Sequence, residues 1–214
     1  MTHPVIAKRN ELLGASVVKA LTERGFEAYY CKTKEEAAKK AVGLIPEGSS
    51  VAWGGSVTVD QLGIKDMLRG GNYALIDRDM AETPEERMEM MRQGLTCDVF
   101  LTGTNALSED GQLVNIDGNG NRMAAMIFGP KSVIVTVGIN KVVRTAEDAL
   151  TRARTVAAPT NTQRFDGLET PCRKTGECGD CKSKDCICTY IVTTRMSKPR
   201  GRIKVILVGE ELGF

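Results

Sequence analysis

Apolar residues recur along this chain in two alternating spacings. Between residues 6 and 23, leucines and valines return every three or four positions, as in an amphipathic helix, and residues 26–31 then form a short apolar run of strand length. Thr33 stands three residues before Glu36, the spacing of a helix N-cap, so a second helix is predicted up to residue 41. This alternation predicts an α/β domain with a largely parallel sheet.

The alternation continues beyond residue 41. Further predicted strands are short apolar runs bounded by turn residues, at residues 50–53, 73–76, 98–102 and 132–137. Further predicted helices are at residues 59–68, from Thr83 onward, and at 145–157, where Pro159 is expected to end the helix. Three methionines of the middle helix are interpreted as core packing: Met88, Met90 and Met91.

A segment dense in Gly, Asn and Asp lies between the predicted strands at residues 98–102 and 132–137. Residues 104–116 are predicted to form a hairpin that turns at Asp110, and a polar turn at residues 117–121 then opens a short helix. Free backbone N–H groups at that helix start, with Arg122 alongside, suit an anionic group. The alternative is that these residues only make turns.

A second glycine-rich turn, at residues 54–58, follows a predicted strand and precedes a helix. It has neither the lysine of a Walker loop nor the G-x-G-x-x-G pattern, so ATP or a dinucleotide held in those ways is not supported. It either presents backbone amides to a phosphate or carboxylate or is only a tight connection. Since both turns leave the carboxyl ends of strands, we expect them to face one cleft. The predicted ligand-binding residues are Gly54, Gly55, Ser56, Thr58, Gly103, Thr104, Asn105, Gly118, Gly120 and Asn121.

Composition narrows the class of protein. With 214 residues, 42% of them hydrophobic, the chain can bury a core and is predicted to be one main domain with an appendage. A net charge of +2 gives no reason to expect nucleic acid as a partner. No apolar run has the length of a membrane span and the N-terminus lacks signal-peptide features, so a cytoplasmic protein is expected. The predicted divisions are an α/β domain at residues 1–160, a cysteine-rich segment at 161–190, and terminal strands at 191–214 that pack on the main domain.

Five of the seven cysteines are crowded near the end of the chain. Without a secretion signal, such clusters more often ligate metal or carry out redox chemistry than form disulfides. Four of the five could hold zinc or an iron–sulfur cluster, although the C-x-C at residues 186–188 is not a common spacing, and the alternative is a structural or redox-active thiol group without metal. The candidate ligands are Cys172, Cys178, Cys181, Cys186 and Cys188.

The remaining cysteines and the single histidine limit the chemistry further. Cys31 and Cys97 stand alone in strand-like segments and are expected to be buried and inert. Because His3 is the only histidine, a histidine-based catalytic triad within one chain is excluded.

Several of these motifs together resemble the lactate-utilisation (LUD) domain family. The motifs are WGGSVT at residues 53–58, LTGTNA at 101–106, EDG at 109–111, NIDGNGNR at 115–122, FGPK at 128–131 and VGEELGF at 208–214. The resemblance implies a three-layer α/β fold with a mixed, mostly parallel sheet, similar to ribose-phosphate isomerase, glucosamine-phosphate deaminase and CoA transferases. It also implies a place in a multi-protein system that oxidises lactate to pyruvate, in which partner subunits carry iron–sulfur centres. The cysteine-rich segment departs from the smallest members of the family.

Three functions are compatible with these features. The first is a component, catalytic or accessory, of a lactate-like organic-acid oxidation system that binds a carboxylate or phosphate in the cleft, with electrons handled by a metal centre on this chain or by iron–sulfur partner subunits. In that case Arg122 or Lys141 would neutralise the carboxylate, while Asp110 or Asp117 would orient a hydroxyl or act as a base. The second is a stand-alone sugar-phosphate isomerase or acyl transferase, and the third is a binding module whose thiols sense metal or redox state. A homo-oligomer is compatible with each function.

Overall fold

The computed structural model describes residues 3–214, which form a six-stranded sheet flanked by helices and a smaller four-stranded sheet. The helices are α1 (Pro4–Glu23), α2 (Lys34–Gly43), α3 (Val57–Gln61), α4 (Ile64–Arg69), α5 (Pro84–Gln93), α6 (Asn121–Ile127), α7 (Ala146–Arg152), α8 (Ala158–Thr162) and α9 (Pro171–Thr175). The strands are β1 (Glu27–Cys31), β2 (Ser50–Trp53), β3 (Ala74–Ile76), β4 (Val99–Gly103), β5 (Ala106–Ser108), β6 (Leu113–Asp117), β7 (Ser132–Gly138), β8 (Val142–Val143), β9 (Tyr190–Thr194) and β10 (Ile203–Val208). None of these helices is long and apolar enough to cross a membrane.

Every strand pair of the large sheet is parallel, in the order β1-β10-β7-β4-β2-β3. The last strand of the chain, β10, lies between β1 and β7, so that Val205 has Ala28 on one side and Val135 on the other. The terminal segment predicted to pack on the main domain is therefore partly inside it. The other terminal strand, β9, pairs with β6 in the small sheet.

Alternating residues of the central strands point to opposite faces of the large sheet and build two cores. On one face Val133 and Val135 of β7 belong to a cluster with Val17 and Leu21 of α1. On the other face the side chain of Ile134 belongs to a cluster with residues of α2, α3 and α4. Helices thus cover both faces, and the predicted three-layer, mostly parallel α/β fold is confirmed. The predicted hairpin is also confirmed, because β5 and β6 pair antiparallel.

Three local predictions are wrong for identifiable reasons. The helix predicted at residues 59–68 is divided into α3 and α4 at Gly63, which adopts φ 67°. The methionines of α5 do not fill the core, because that helix has no buried residue and Met88 is 39% exposed. Pro159 does not end a helix: α7 passes through a π-helical turn, Ala153–Ala157, into α8, where the proline occupies the first turn and needs no N–H.

Candidate functional site

Loops that follow four strands of the large sheet, β2, β3, β4 and β7, meet around a cavity of about 390 Å³. We call it the strand-end cavity. Because all these strands are parallel, their carboxyl ends share one edge of the sheet, as expected for the cleft. Ten of the predicted site residues line it: Gly55, Ser56, Gly103, Thr104, Asn105, Asp117, Gly118, Asn121, Arg122 and Lys141.

The other predicted residues lie beside the cavity or away from it. Thr58 contacts Lys141, Gly54 lies against Arg122, and Gly120 caps α6 with its N–H donating to Asp117 Oδ1 at 3.0 Å. Asp110 is not part of this group. It lies in the hairpin turn, where it forms an ion pair with Arg24 and accepts hydrogen bonds from Ser108 and Gln112.

The Arg122 guanidinium is held by protein acceptors on all sides. Its Nη hydrogens go to two carbonyl and two side-chain oxygens: Gly103 O (3.1 Å), Ile116 O (2.7 Å), Asn105 Oδ1 (3.2 Å) and Asn115 Oδ1 (2.7 Å). Its Nε lies 3.4 Å from Asp117 Oδ2, and the side chains of this ion pair are only 12% and 8% exposed. Four of its five N–H donors therefore go to protein oxygens, and the fifth, on Nε, faces Asp117 Oδ2, which accepts no hydrogen bond from the described residues. Arg122 therefore fixes the cavity wall and positions Asp117.

Lys141 ends a short 3₁₀ turn after β7 and is 4% exposed. Its Nζ donates to Thr58 Oγ1 at 2.9 Å and to the Thr104 carbonyl at 3.3 Å, both uncharged acceptors. Burial, together with repulsion from Arg152 and Arg122, lowers the pKa of Lys141 to about 7. Unlike a surface lysine, this amine can gain or lose a proton near neutral pH.

Arg78, which the sequence analysis missed, also faces the strand-end cavity. It lies in the 3₁₀ turn Arg78–Met80 after β3, and its side chain is 12% exposed. Among the described residues its guanidinium donates no hydrogen bond: Nε is buried without a partner, and the nearest carboxylate oxygen, Asp79 Oδ1, is 3.9 Å from Nε. Burial, and then repulsion from Arg87, lower the pKa of Arg78. Its position after a parallel strand is the signal that could have identified it.

The two glycines after β2 make room for the two arginines. A Cβ on Gly55 would come within 2.8 Å of Arg78 Nη2, and a Cβ on Gly54 would come within 2.9 Å of Arg122 Cδ. Neither glycine is among those with positive φ. Close approach of side chains, and not a special backbone conformation, is therefore the reason for glycine at these positions.

The charges around the strand-end cavity do not cancel. Arg122 is paired with Asp117, and Arg87 donates to Asp79 Oδ1 at 3.3 Å. Arg78 has only a loose ion pair, with Nε 3.9 Å from the same Asp79 oxygen, and Lys141 donates only to uncharged acceptors among the described residues. The helices that follow the glycine-rich turns, α3 and α6, have only five and seven residues, so side chains supply most of the positive charge. The arrangement suits a small anion.

The five clustered cysteines line a second, smaller cavity of about 60 Å³, which we call the thiol cavity. Cys172 is buried, Cys178 is exposed, and the other three are half-buried. Ile116 and Ile187 line both cavities, so the two are separated by about one residue. Among the described residues, no group of three or more His, Cys, Asp or Glu side chains is already arranged to hold a metal ion. Cys31 and Cys97 are buried elsewhere, as expected.

The chain is thus of the class of α/β proteins that have a parallel sheet and a cation-lined cavity at the carboxyl ends of its strands. Within that class, the chain belongs to the LUD domain family, whose model matches residues 15–208. The resemblance found in the sequence motifs is thereby confirmed. No curated protein matches the sequence.

One solved structure is similar at the level of the fold, and two others are similar only in part. A DUF162 family protein from Deinococcus radiodurans has a TM-score of 0.53 with 12% identity, and the match covers 93% of this chain and 98% of that one. A tetrameric eIF2B-β2-δ2 complex from C. thermophilum has a TM-score of 0.42 with 15% identity, covering 80% of this chain and 55% of that chain. Ribose 5-phosphate isomerase from Plasmodium falciparum has a TM-score of 0.34 with 16% identity, covering 52% of each chain.

Proposed function

We propose that this protein binds a small carboxylate in the strand-end cavity as an accessory component of a lactate-like organic-acid utilisation system. The observation that carries the proposal is Arg78, a largely buried guanidinium that donates no hydrogen bond to residues 3–214. Buried charges in proteins are normally paired, because removing an ion from water costs several kcal/mol. Arg78 has only the 3.9 Å ion pair with Asp79, and an anion in the cavity would supply the missing hydrogen-bond acceptor.

A carboxylate fits the other groups around Arg78. The planar guanidinium can donate two parallel hydrogen bonds to one carboxylate, and the Lys141 ammonium lies on the same cavity as a second positive group. A bound anion would also raise the pKa of Lys141 from about 7, so that the lysine takes up a proton when the ligand binds. Phosphate shares this recognition chemistry and is the competing ligand.

Membership in the LUD domain family supports the link to organic acids. The accessory role agrees with a site whose polar groups suit binding. Arg122 is held by protein acceptors, Arg78 donates no hydrogen bond to the described residues, and Lys141 has uncharged partners. On this proposal, iron–sulfur partner subunits accept the electrons when the acid is oxidised. The isolated chain should therefore bind the acid without oxidising it.

The single tryptophan gives a direct binding assay. Trp53 is 1% exposed and its Nε1 donates to Asp79 Oδ2 at 3.0 Å, next to Arg78 in the same turn. Titration with L-lactate, pyruvate and inorganic phosphate should give a saturable change in Trp53 fluorescence with at least one carboxylate. Arg78→Ala should weaken binding by about 10- to 100-fold, because it removes charge-assisted hydrogen bonds worth roughly 1.5–3 kcal/mol.

Arg92→Ala is the matched control, since it removes an equal charge from a side chain that is 67% exposed. It should leave affinity unchanged. Saturation by phosphate alone would assign a phosphorylated ligand instead. The binding proposal would be overturned if none of the three anions gave a saturable change in Trp53 fluorescence, or if Arg78→Ala bound the anion as tightly as the wild type. Oxidation of lactate by the isolated chain with an artificial electron acceptor would overturn the accessory role.

A further inference from the structure

All five clustered thiols face one small space, although they come from separate parts of the cysteine-rich segment. Cys172 lies on α9, whereas the other four lie in the stretch without helix or strand between α9 and β9. The chain therefore gathers all of its clustered cysteines around one cavity. Packing alone would not require this, because four of the five are at least partly exposed.

Polar groups of the surrounding structure lie against two of these sulfurs. Cys172 Sγ is 3.5 Å from Thr162 Oγ1, which donates at 2.7 Å to the Pro159 carbonyl, and 3.4 Å from Thr170 Oγ1. The backbone N–H of Cys188 donates to Cys186 Sγ at 3.4 Å. Outer hydrogen bonds of this kind orient metal ligands.

Sulfur is the donor type that this cavity can offer. The only carboxylate on its lining, Asp180, forms an ion pair with Arg154, and the lining has no histidine. Thiolates select soft or borderline metals, and a tetrahedral zinc site or a cubane iron–sulfur cluster needs four of them. Five thiols satisfy that number with one to spare.

We propose that the thiol cavity binds a thiolate-ligated metal centre. Cys172, Cys178 and Cys181 provide three ligands, and the pair Cys186 and Cys188 provides the fourth. The sulfurs are not yet in ligating positions. Binding draws them together and releases the thiol protons as metal–sulfur bonds form. The chain between α9 and β9 can make this adjustment because no helix or strand constrains it.

This proposal does not rest on the proposed ligand of the strand-end cavity, although it places the metal close to it. Ile116 and Ile187 line both cavities, and a Cβ on Gly118 would lie 3.4 Å from Ile187 Cα. The backbone at Ile187 is thus the partition between the two sites.

Metal and acid-labile sulfide analysis of the full chain, purified without oxygen, tests the proposal. We expect about one centre per chain, and a loss of more than tenfold in bound metal in the double variant Cys178→Ser/Cys181→Ser. Cys97→Ala, which changes a cysteine outside the cavity, should retain the metal. Far-UV circular dichroism of each protein shows whether the variant is folded, so that loss of the ligands is distinguished from loss of the fold.

The outcomes separate the metals and assign the fourth ligand. Iron with an equal amount of sulfide identifies a cluster, whereas zinc alone identifies a single ion, and both support the site. Loss of metal in only one of Cys186→Ser and Cys188→Ser names the fourth ligand, and loss only in the double change shows that either can serve. The proposal is overturned if the wild-type chain binds neither zinc, when incubated with zinc, nor iron, when incubated with iron and sulfide. It is also overturned if the Cys178→Ser/Cys181→Ser variant keeps its metal.

Discussion

Replacement of Arg122 by alanine should destabilise the protein strongly, because it removes the donor to four oxygens around a largely buried ion pair. Asp117 would keep its buried charge without a partner. Breaking a buried pair by removing one side typically costs about 3–5 kcal/mol. With a urea m-value of about 3 kcal/mol/M for a chain of this size, the midpoint of unfolding should fall by about 1–1.7 M.

Urea unfolding at neutral pH, followed by far-UV circular dichroism, measures this effect. Arg92→Ala is the control, because its pair with Glu89 spans 3.5 Å between side chains that are 67% and 58% exposed, and exposed pairs contribute about 0–1 kcal/mol. Arg122→Lys keeps the charge but not the planar fork, and should lie between the two. It also provides a measurement if Arg122→Ala does not fold.

Equal midpoints for Arg122→Ala and Arg92→Ala would refute the reasoning. They would mean that the hydrogen bonds of Arg122 are not formed in solution. Its N–H groups would then be available to a ligand, as the sequence motifs alone suggested.

Two further predictions concern the cavity itself. Wild-type protein should gain stability relative to Lys141→Met as the pH rises from about 7 to about 10, because in this window Lys141 is protonated in the unfolded chain and deprotonated in the folded one. Urea unfolding of both proteins across this pH range measures the difference. A difference that does not change with pH would contradict the lowered pKa of Lys141. Gly55→Ala should weaken binding of L-lactate, pyruvate or phosphate, whichever binds, by about tenfold with little loss of stability, because its Cβ would displace only the flexible end of Arg78. Gly43→Ala, whose Cβ meets no atom within 4 Å, is the control for affinity and stability.

The elements of the fold could be predicted because their signals are local. The spacing of apolar residues in α1 and the Thr33 cap of α2 depend on neighbours in sequence, and both helices begin within a few residues of the predicted positions. The position of β10 in the sheet could not be predicted, because its pairing with β1 and β7 depends on contacts between residues far apart in the chain. Its apolar sequence would suit an edge strand of the same sheet as well as a central one.

The candidate site was partly predictable for a similar reason. The two glycine-rich turns line one cavity as expected, but the rule that parallel strands end at one edge of a sheet explains only the turn after β2, because the other follows β6 of the small sheet. The rule cannot tell an Asp-Gly turn that faces a cavity from one that faces a helix, and Asp110 is of the second kind, since it contacts Arg24. Arg78 also follows a parallel strand, but it has no glycine beside it, so a search for glycine-rich turns did not find it.

The two largely buried arginines of the cavity differ in what their N–H donors contact, and the proposed ligand-binding role of Arg78 rests on that difference. Both side chains are 12% exposed, so burial does not distinguish them. Their N–H donors do distinguish them. Those of Arg122 point to protein oxygens, whereas those of Arg78 have no hydrogen-bond acceptor among residues 3–214. Desolvation of Arg78 is expected to lower the stability of the ligand-free protein, and under the proposed function an anion that pairs with Arg78 would recover that free energy as affinity. Because Arg122 holds the surrounding wall in place, little of the binding free energy should be lost in ordering the site.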